Sequence, residues 1–164
     1  GSGIFVSAAG SRYEGEFRKG YPHGTGKLVS STGSIYTGEF SDGQFNGHGL
    51  YIQRDGTRYE GGFLAGSYSG QGTVTYPDGA SYSGTWLNDQ PSGKGRLRSS
   101  NGDIYEGEFV GGKFDGYGRL VQANGDRYEG YWRNHKKNGK GRYTFANGTV
   151  WEGRFVNDGF TGKE

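Results

Sequence analysis

The sequence predicts an all-β protein, an elongated repeat array of antiparallel β-hairpins forming one twisted open sheet. Three observations carry that prediction. An aromatic-x-Gly-x-aromatic unit recurs every 23 residues, glycine supplies 36 of the 164 residues, and an Asx-Gly pair precedes most of the units. A fixed period of this length marks stacked supersecondary units. Glycine at this density costs about 0.8–1.0 kcal/mol per position in any helix.

The unit opens at Tyr13, Tyr36, Tyr59, Tyr82, Tyr105, Tyr128 and Trp151 with no insertion between copies. Counting each opening residue as 0, glycine stands at +2 and an aromatic at +4, namely Phe17, Phe40, Phe63, Trp86, Phe109, Trp132 and Phe155. Side chains alternate along a strand, so these three positions share one face, with glycine leaving room for the rings on either side. Paired glycines follow at +11 and +13, and a last glycine at +20. Asp55-Gly56, Asp78-Gly79, Asn101-Gly102, Asn124-Gly125 and Asn147-Gly148 predict two-residue type I′ turns, which need positive φ at both central residues. Residues 1–164 thus read as a single array, with a partial repeat at 1–12 and a last repeat that is truncated. Gly1-Ser2 reads as the scar of a tag.

Lys+Arg 19 against Asp+Glu 17 leaves a net charge of +2, while 13 Tyr, 10 Phe and 3 Trp supply the apolar surface that scarce aliphatics do not. One hairpin cannot bury such rings by itself, so neighbouring units must cover each other. Two strands per unit at about 4.8 Å each give a rod of roughly 65 Å, a shape without a central pocket. The absence of cysteine excludes disulfides, a thiol nucleophile and thiolate metal sites. No apolar run approaches the roughly 20 residues of a membrane-spanning helix. The Gly-x-Gly pairs precede strands rather than helices, so no nucleotide site is expected. No cofactor is expected either. His23, His48 and His135 fall at three different offsets, so they read as solvent-exposed and no metal site is expected.

The spacing Tyr-x-Gly-x-Phe/Trp, Gly-x-Gly, then Gly three residues before the next Tyr resembles the MORN (membrane occupation and recognition nexus) repeat. Tyr105-Glu106-Gly107-Glu108-Phe109 through Gly116-Tyr117-Gly118 carries the resemblance most closely, and it extends over essentially the whole chain. It implies a sheet of hairpins with a shallow groove that serves as a scaffold or adaptor. The expected location is cytoplasmic, at a membrane or a cytoskeletal structure.

The candidate sites follow from this frame. The aromatics at +9, Phe45, Tyr68 and Phe114, are expected in the connection between hairpins, along one edge where a protein partner could contact them. Tyr59, Tyr82 and Tyr105 read first as core and second as the floor of a groove for a partner's extended or helical segment. Tyr131, Trp132, Arg133, Lys136, Lys137 and Lys140 form a basic, aromatic stretch within 127–142 that suits anionic phospholipid, each base being worth about 1 kcal/mol near such a surface. Nucleic acid is not an expected partner, because the positive charge is neither large nor extended. The acids and bases at outward positions, such as Arg12/Glu14, Arg58/Glu60, Glu106 and Arg119, are expected to form cross-strand charge pairs. Repeats that break the pattern, at Asp89, Pro91 and His135, are where a specific function is expected. The reading that results is a non-catalytic scaffold that binds a protein partner and can form a homodimer. The alternatives are a phospholipid-binding module and the regulatory repeat region of a larger enzyme.

Overall fold

The computed structural model describes residues 1–163, and among them every regular element is a strand. In chain order these are β1 (Ser2–Val6), β2 (Arg12–Arg18), β3 (Tyr21–Val29), β4 (Ile35–Ser41), β5 (Gln44–Ile52), β6 (Arg58–Leu64), β7 (Ser67–Thr75), β8 (Ser81–Leu87), β9 (Gln90–Arg98), β10 (Ile104–Val110), β11 (Lys113–Val121), β12 (Arg127–Arg133), β13 (Lys136–Thr144), β14 (Val150–Val156) and β15 (Gly159–Gly162). Each neighbours the next in one open sheet that runs in chain order. The chain divides into two compact units, Gly1–Pro77 with Trp86–Asp89, and Asp78–Thr85 with Gln90–Glu164.

Turn chemistry differs from the expectation, and the two kinds of connection are exchanged. The Asx-Gly pairs lie in three-residue loops. In the first unit Gly56 N donates to Gln53 O at 2.9 Å and Gln53 N donates to Thr57 O at 2.8 Å. Only Gly56 is left-handed there, at φ +94°, so the loop is a type I turn closed by a glycine bulge. The Asp55 carboxylate instead accepts from Thr57 N at 2.8 Å, and Asn101, Asn124 and Asn147 repeat that bond in the second unit. True two-residue turns with both φ positive stand at +6 and +7, at Lys19-Gly20, Asp42-Gly43, Ala65-Gly66, Asn88-Asp89, Gly111-Gly112, Asn134-His135 and Asn157-Asp158. These are the type I′ turns, and they start the following strand earlier than the sequence suggested.

Register then builds a row of glycines across the strands. In the first unit Gly3 faces Gly15, Gly15 faces Gly26, and the row continues through Gly38, Gly49 and Gly61 to Gly72. In the second unit it runs from Gly95 through Gly107, Gly118, Gly130 and Gly141 to Gly153. The row lies under the tyrosine rings. A Cβ at Gly26, Gly49, Gly72, Gly95, Gly118 or Gly141 would fall within 3.0 Å of the ring of its own repeat's tyrosine. Between +2 and +4, β2, β4, β6, β10 and β12 have one residue where the strand that follows has three, so the following strand bulges against the single residue at +3. The carbonyl of that residue accepts the tyrosine hydroxyl, for example Tyr36 to Glu39 O at 2.6 Å and Tyr105 to Glu108 O at 2.8 Å.

Candidate functional site

On the face above the glycine row, Tyr13, Tyr36, Tyr59, Tyr105 and Tyr128 each lie between two ring edges. Tyr36 meets Phe40 of its own repeat and Phe63 of the next at centroid distances of 5.0 and 5.1 Å, both T-shaped. Tyr105 meets Phe109 and Trp132 in the same way. Edge-to-face contacts of this kind add about 0.5–1.5 kcal/mol each beyond burial. Burial pushes the Tyr36, Tyr82 and Tyr128 hydroxyls up to about 12, and those of Tyr59 and Tyr105 higher still. Tyr59, Tyr82 and Tyr105 are 0–2% exposed. These three are core and offer no ring surface to a partner, so of their two readings the floor of a contact groove is set aside.

The +9 residues form a second layer over that core. Phe45, Tyr68 and Phe114 stack flat on Tyr36, Tyr59 and Tyr105 at 3.8, 3.7 and 3.8 Å. They lie in strands β5, β7 and β11, paired with Phe40, Phe63 and Phe109, and not in the connection between hairpins. The correction follows from the tight turn at +6 and +7, which leaves +9 already inside the ladder. All three remain half-buried. In the first unit Phe45 also touches Tyr51 at 5.8 Å, and burial raises the Tyr68 hydroxyl, with Tyr51 and Tyr76 close enough to add to the shift. Tyr76 is 43% exposed. Phe45, Tyr51, Tyr68 and Tyr76 thus make a strip of accessible rings on a rigid aromatic bed. The sequence signal for Tyr51 and Tyr76, at +15 and +17, was their even spacing from the +9 position.

Residues that break the repeat prove to be structural. Asp89 Oδ1 accepts from Tyr68 N at 2.8 Å, Asp158 Oδ1 from Lys137 N at 2.8 Å, and His135 Nδ1 from Phe114 N at 3.2 Å. Each +7 side chain therefore caps the +9 amide of the preceding repeat. Pro22 and Pro91 have no N–H to cap, and the residues opposite them are Gly43 and Gly112, which donate to the proline carbonyls at 2.9 Å. Phe45, opposite Gly66, is the exception. Asp89, Pro91 and His135 thus take part in the stitching between repeats. Burial, then the nearby Lys113 charge, holds His135 below the usual histidine range.

The expected basic stretch does not form one surface. Trp132 is 4% exposed, with Nε1 donating to Gly118 O at 3.1 Å. Lys137 occupies a +9 position, its side chain 16% exposed, with Nζ 5.4–5.7 Å from the Tyr128, Trp132 and Tyr143 rings and 3.7 Å from Asp158. Tyr131 and Lys140 lie on the opposite face of the sheet, lining a hollow with Tyr117 and Arg142. Arg133 and Lys136 face each other beside the tight turn. Alternation along β12 and β13 thus turns Trp132 and Lys137 to the ring-bearing face and leaves Tyr131, Arg133, Lys136 and Lys140 on the other.

The face away from the rings carries the charges. Arg96, Glu106, Arg119, Glu129, Arg142 and Glu152 stand opposite one another in succession on β9 to β14. Among the described residues, Arg96–Glu106 is the one pair of this row that closes, at 3.0 Å, whereas Arg12–Glu14 and Arg58–Glu60 close along one strand at 3.0 and 3.7 Å and His48 stands 4.0 Å from Glu60 on the next strand. The cross-strand pairing expected from sequence is correspondingly sparse. Glu16, Glu39 and Glu108 serve the backbone instead, accepting from the amides of Thr25, His48 and Tyr117. His23 Nδ1 accepts from Asp42 N at 3.5 Å.

No curated protein sequence matches the chain. Among solved structures, the SAS-4 (dCPAP) TCP domain of Drosophila melanogaster, in complex with a proline-rich motif of Ana2 (dSTIL), is 13% identical with a TM-score of 0.50, over 94% of this chain and 90% of that one. The TCP10 domain of Danio rerio CPAP is 18% identical with a TM-score of 0.31, over 90% and 80%. The model of the MORN repeat matches six consecutive 23-residue stretches, 13–35, 36–58, 59–81, 82–104, 105–127 and 128–150. The tyrosine that opens each stretch and the glycines beneath it are the residues that hold the sheet together, and the chain belongs to the MORN-repeat family.

Proposed function

We propose that this chain is a non-catalytic protein-binding scaffold, and that it receives an extended segment of a partner on the ring-bearing face. The strip Phe45, Tyr51, Tyr68 and Tyr76 carries the reading. Its rings are half-buried or exposed, yet Phe45 and Tyr68 rest on Tyr36 and Tyr59, whose hydroxyls are already satisfied, so a partner meets a rigid apolar surface that loses little entropy on binding. Aromatic-lined sheet surfaces of this kind suit extended, proline-containing segments. The similarly folded SAS-4 domain is one that takes a proline-rich motif, which supports the same mode here.

The test is selection of peptides from a randomised display library on the intact chain, followed by titration of a selected peptide against wild type, Tyr76→Ala and Tyr51→Ser. Enrichment of proline- or aromatic-containing segments that bind at least tenfold more weakly to either variant is expected. Selected peptides that bind both variants like wild type would refute the assignment of the strip.

A further inference from the structure

On the face away from the buried rings, strands β11 to β14 frame a hollow of about 460 Å³ that is open to solvent. Tyr117 on β11 stands directly opposite Tyr131 on β12, and their rings meet edge to face at 5.5 Å. Both are exposed, at 46% and 50%, so the core does not account for them. Their places in the repeat do not account for them either. Tyr131 stands at +3, where Glu16, Glu39 and Glu108 each accept from a backbone amide, and its ring replaces that acceptor. Tyr117 stands at +12, a position that polar residues hold in the other repeats. Beside the rings, Glu129 and Glu152 flank Arg142 on the two neighbouring strands, and Lys140 lies two residues earlier on β13. Neither acid closes on Arg142 within 4.0 Å. Glu129 instead accepts from the Tyr117 hydroxyl at 2.8 Å, which ties one ring to the polar wall and leaves the other carboxylate oxygen open to the hollow.

We propose that this hollow is a binding site for a neutral saccharide. Charge selects the class. Glu129 and Glu152 balance Lys140 and Arg142, so a charged ligand finds no uncompensated partner, and a purely apolar one would strip water from four charges without replacing it. Ring chemistry selects within the class. A pyranose carries C–H groups on one face and hydroxyls around its rim. The C–H face fits the electron-rich face of an exposed tyrosine. Each hydroxyl is donor and acceptor at once, and the same wall offers carboxylate acceptors beside ammonium and guanidinium donors. The volume falls within the roughly 300–1,000 Å³ of small-molecule sites, enough for a short saccharide. All six side chains stand on four consecutive hydrogen-bonded strands, so the site is in place before the ligand arrives. It lies on the opposite face from the strip of Phe45, Tyr51, Tyr68 and Tyr76 and does not depend on it.

Saturation-transfer NMR and titration calorimetry on the full chain test this, with maltotetraose, cellotetraose, chitotetraose and mannotetraose as probes and a heparin tetrasaccharide as the anionic comparison. Tyr117→Ser/Tyr131→Ser removes the rings, and Lys140→Gln/Glu152→Gln weakens the polar wall at unchanged net charge. Tyr21→Ser is the control, since it removes a tyrosine on β3 that is 60% exposed and far from the hollow in sequence. Circular dichroism confirms that all three variants are folded. The expected result is binding of at least one neutral tetrasaccharide, insensitive to sodium chloride. That binding weakens at least tenfold without the rings, at least threefold in Lys140→Gln/Glu152→Gln and less than twofold in Tyr21→Ser. No binding of any neutral probe, equal affinity in wild type and Tyr117→Ser/Tyr131→Ser, or tighter binding of the heparin fragment that salt abolishes would overturn the site.

Discussion

Gly118→Ala isolates the close approach on which the core depends. Gly118 is extended, and the methyl group would land within 3.0 Å of the Tyr105 ring, which therefore has to leave its place. Tyr105 is 1% exposed, stacked on Phe114 at 3.8 Å and flanked by Phe109 and Trp132. Overpacking a filled core costs about 1–3 kcal/mol. Full loss of a ring burying roughly 150–250 Å² costs about 4–6 kcal/mol at 25 cal/mol/Å². The expected cost lies between these limits, at about 2–5 kcal/mol in urea unfolding followed by near-UV circular dichroism. Gly148→Ala is the control, since nothing lies within 4 Å of a Cβ there and only the left-handed φ of +91° is penalised, by about 1–2 kcal/mol. In a Tyr105→Ala background the Gly118→Ala cost should fall below about 1 kcal/mol, because the obstructing ring is gone. A cost under 0.5 kcal/mol in the parent protein, or an unchanged cost in the Tyr105→Ala background, would refute the reasoning.

Three further outcomes are expected. Asp89→Gly keeps the left-handed turn but removes the acceptor for Tyr68 N, and urea unfolding should show a loss of about 0.5–1.5 kcal/mol. His135 is held below its ordinary pKa, so the unfolded chain binds its proton more readily. The stability contributed by neutral His135 is therefore complete above about pH 6.5 and is lost as the pH falls through the lowered folded value. Urea midpoints should drop on acidification below pH 6.5 and drop less in His135→Asn. Lys137→Phe replaces a cation over Tyr128 with the stacked ring found at Phe45, Tyr68 and Phe114. A rise of about 0.5–1.5 kcal/mol in stability is expected, reduced by the weak Asp158 pair.

The core and its period were readable in the sequence because they rest on local spacing. Tyr105, Gly107 and Phe109 share a face through strand alternation alone, and their burial or close packing follows from that. Turn identity was not readable in the same way. Asp55-Gly56 has the residue types of a type I′ turn, yet the Asp55 side chain caps Thr57 and keeps its own backbone out of the left-handed region. Ala65-Gly66 and Asn134-His135 adopt the tighter turn although their types do not announce it. That exchange moved Phe45, Tyr68 and Phe114 from an expected connection into strands. The split of the basic stretch did have a signal, since a period of two puts Tyr131 and Trp132 on opposite faces. The caps at Asp89 and His135 link residues 21 apart, and only the register of neighbouring repeats brings them together.

Photo-crosslinking tests the scaffold account most directly. A benzoylphenylalanine is placed at position 51 or 76 on the ring-bearing strip, or at 117 or 131 on the outer face, and a library-selected peptide is added before irradiation. Crosslinks from 51 and 76, competed by unlabelled peptide and absent from 117 and 131, are predicted. Crosslinks confined to 117 and 131 would contradict the central claim that the ring-bearing face receives the partner.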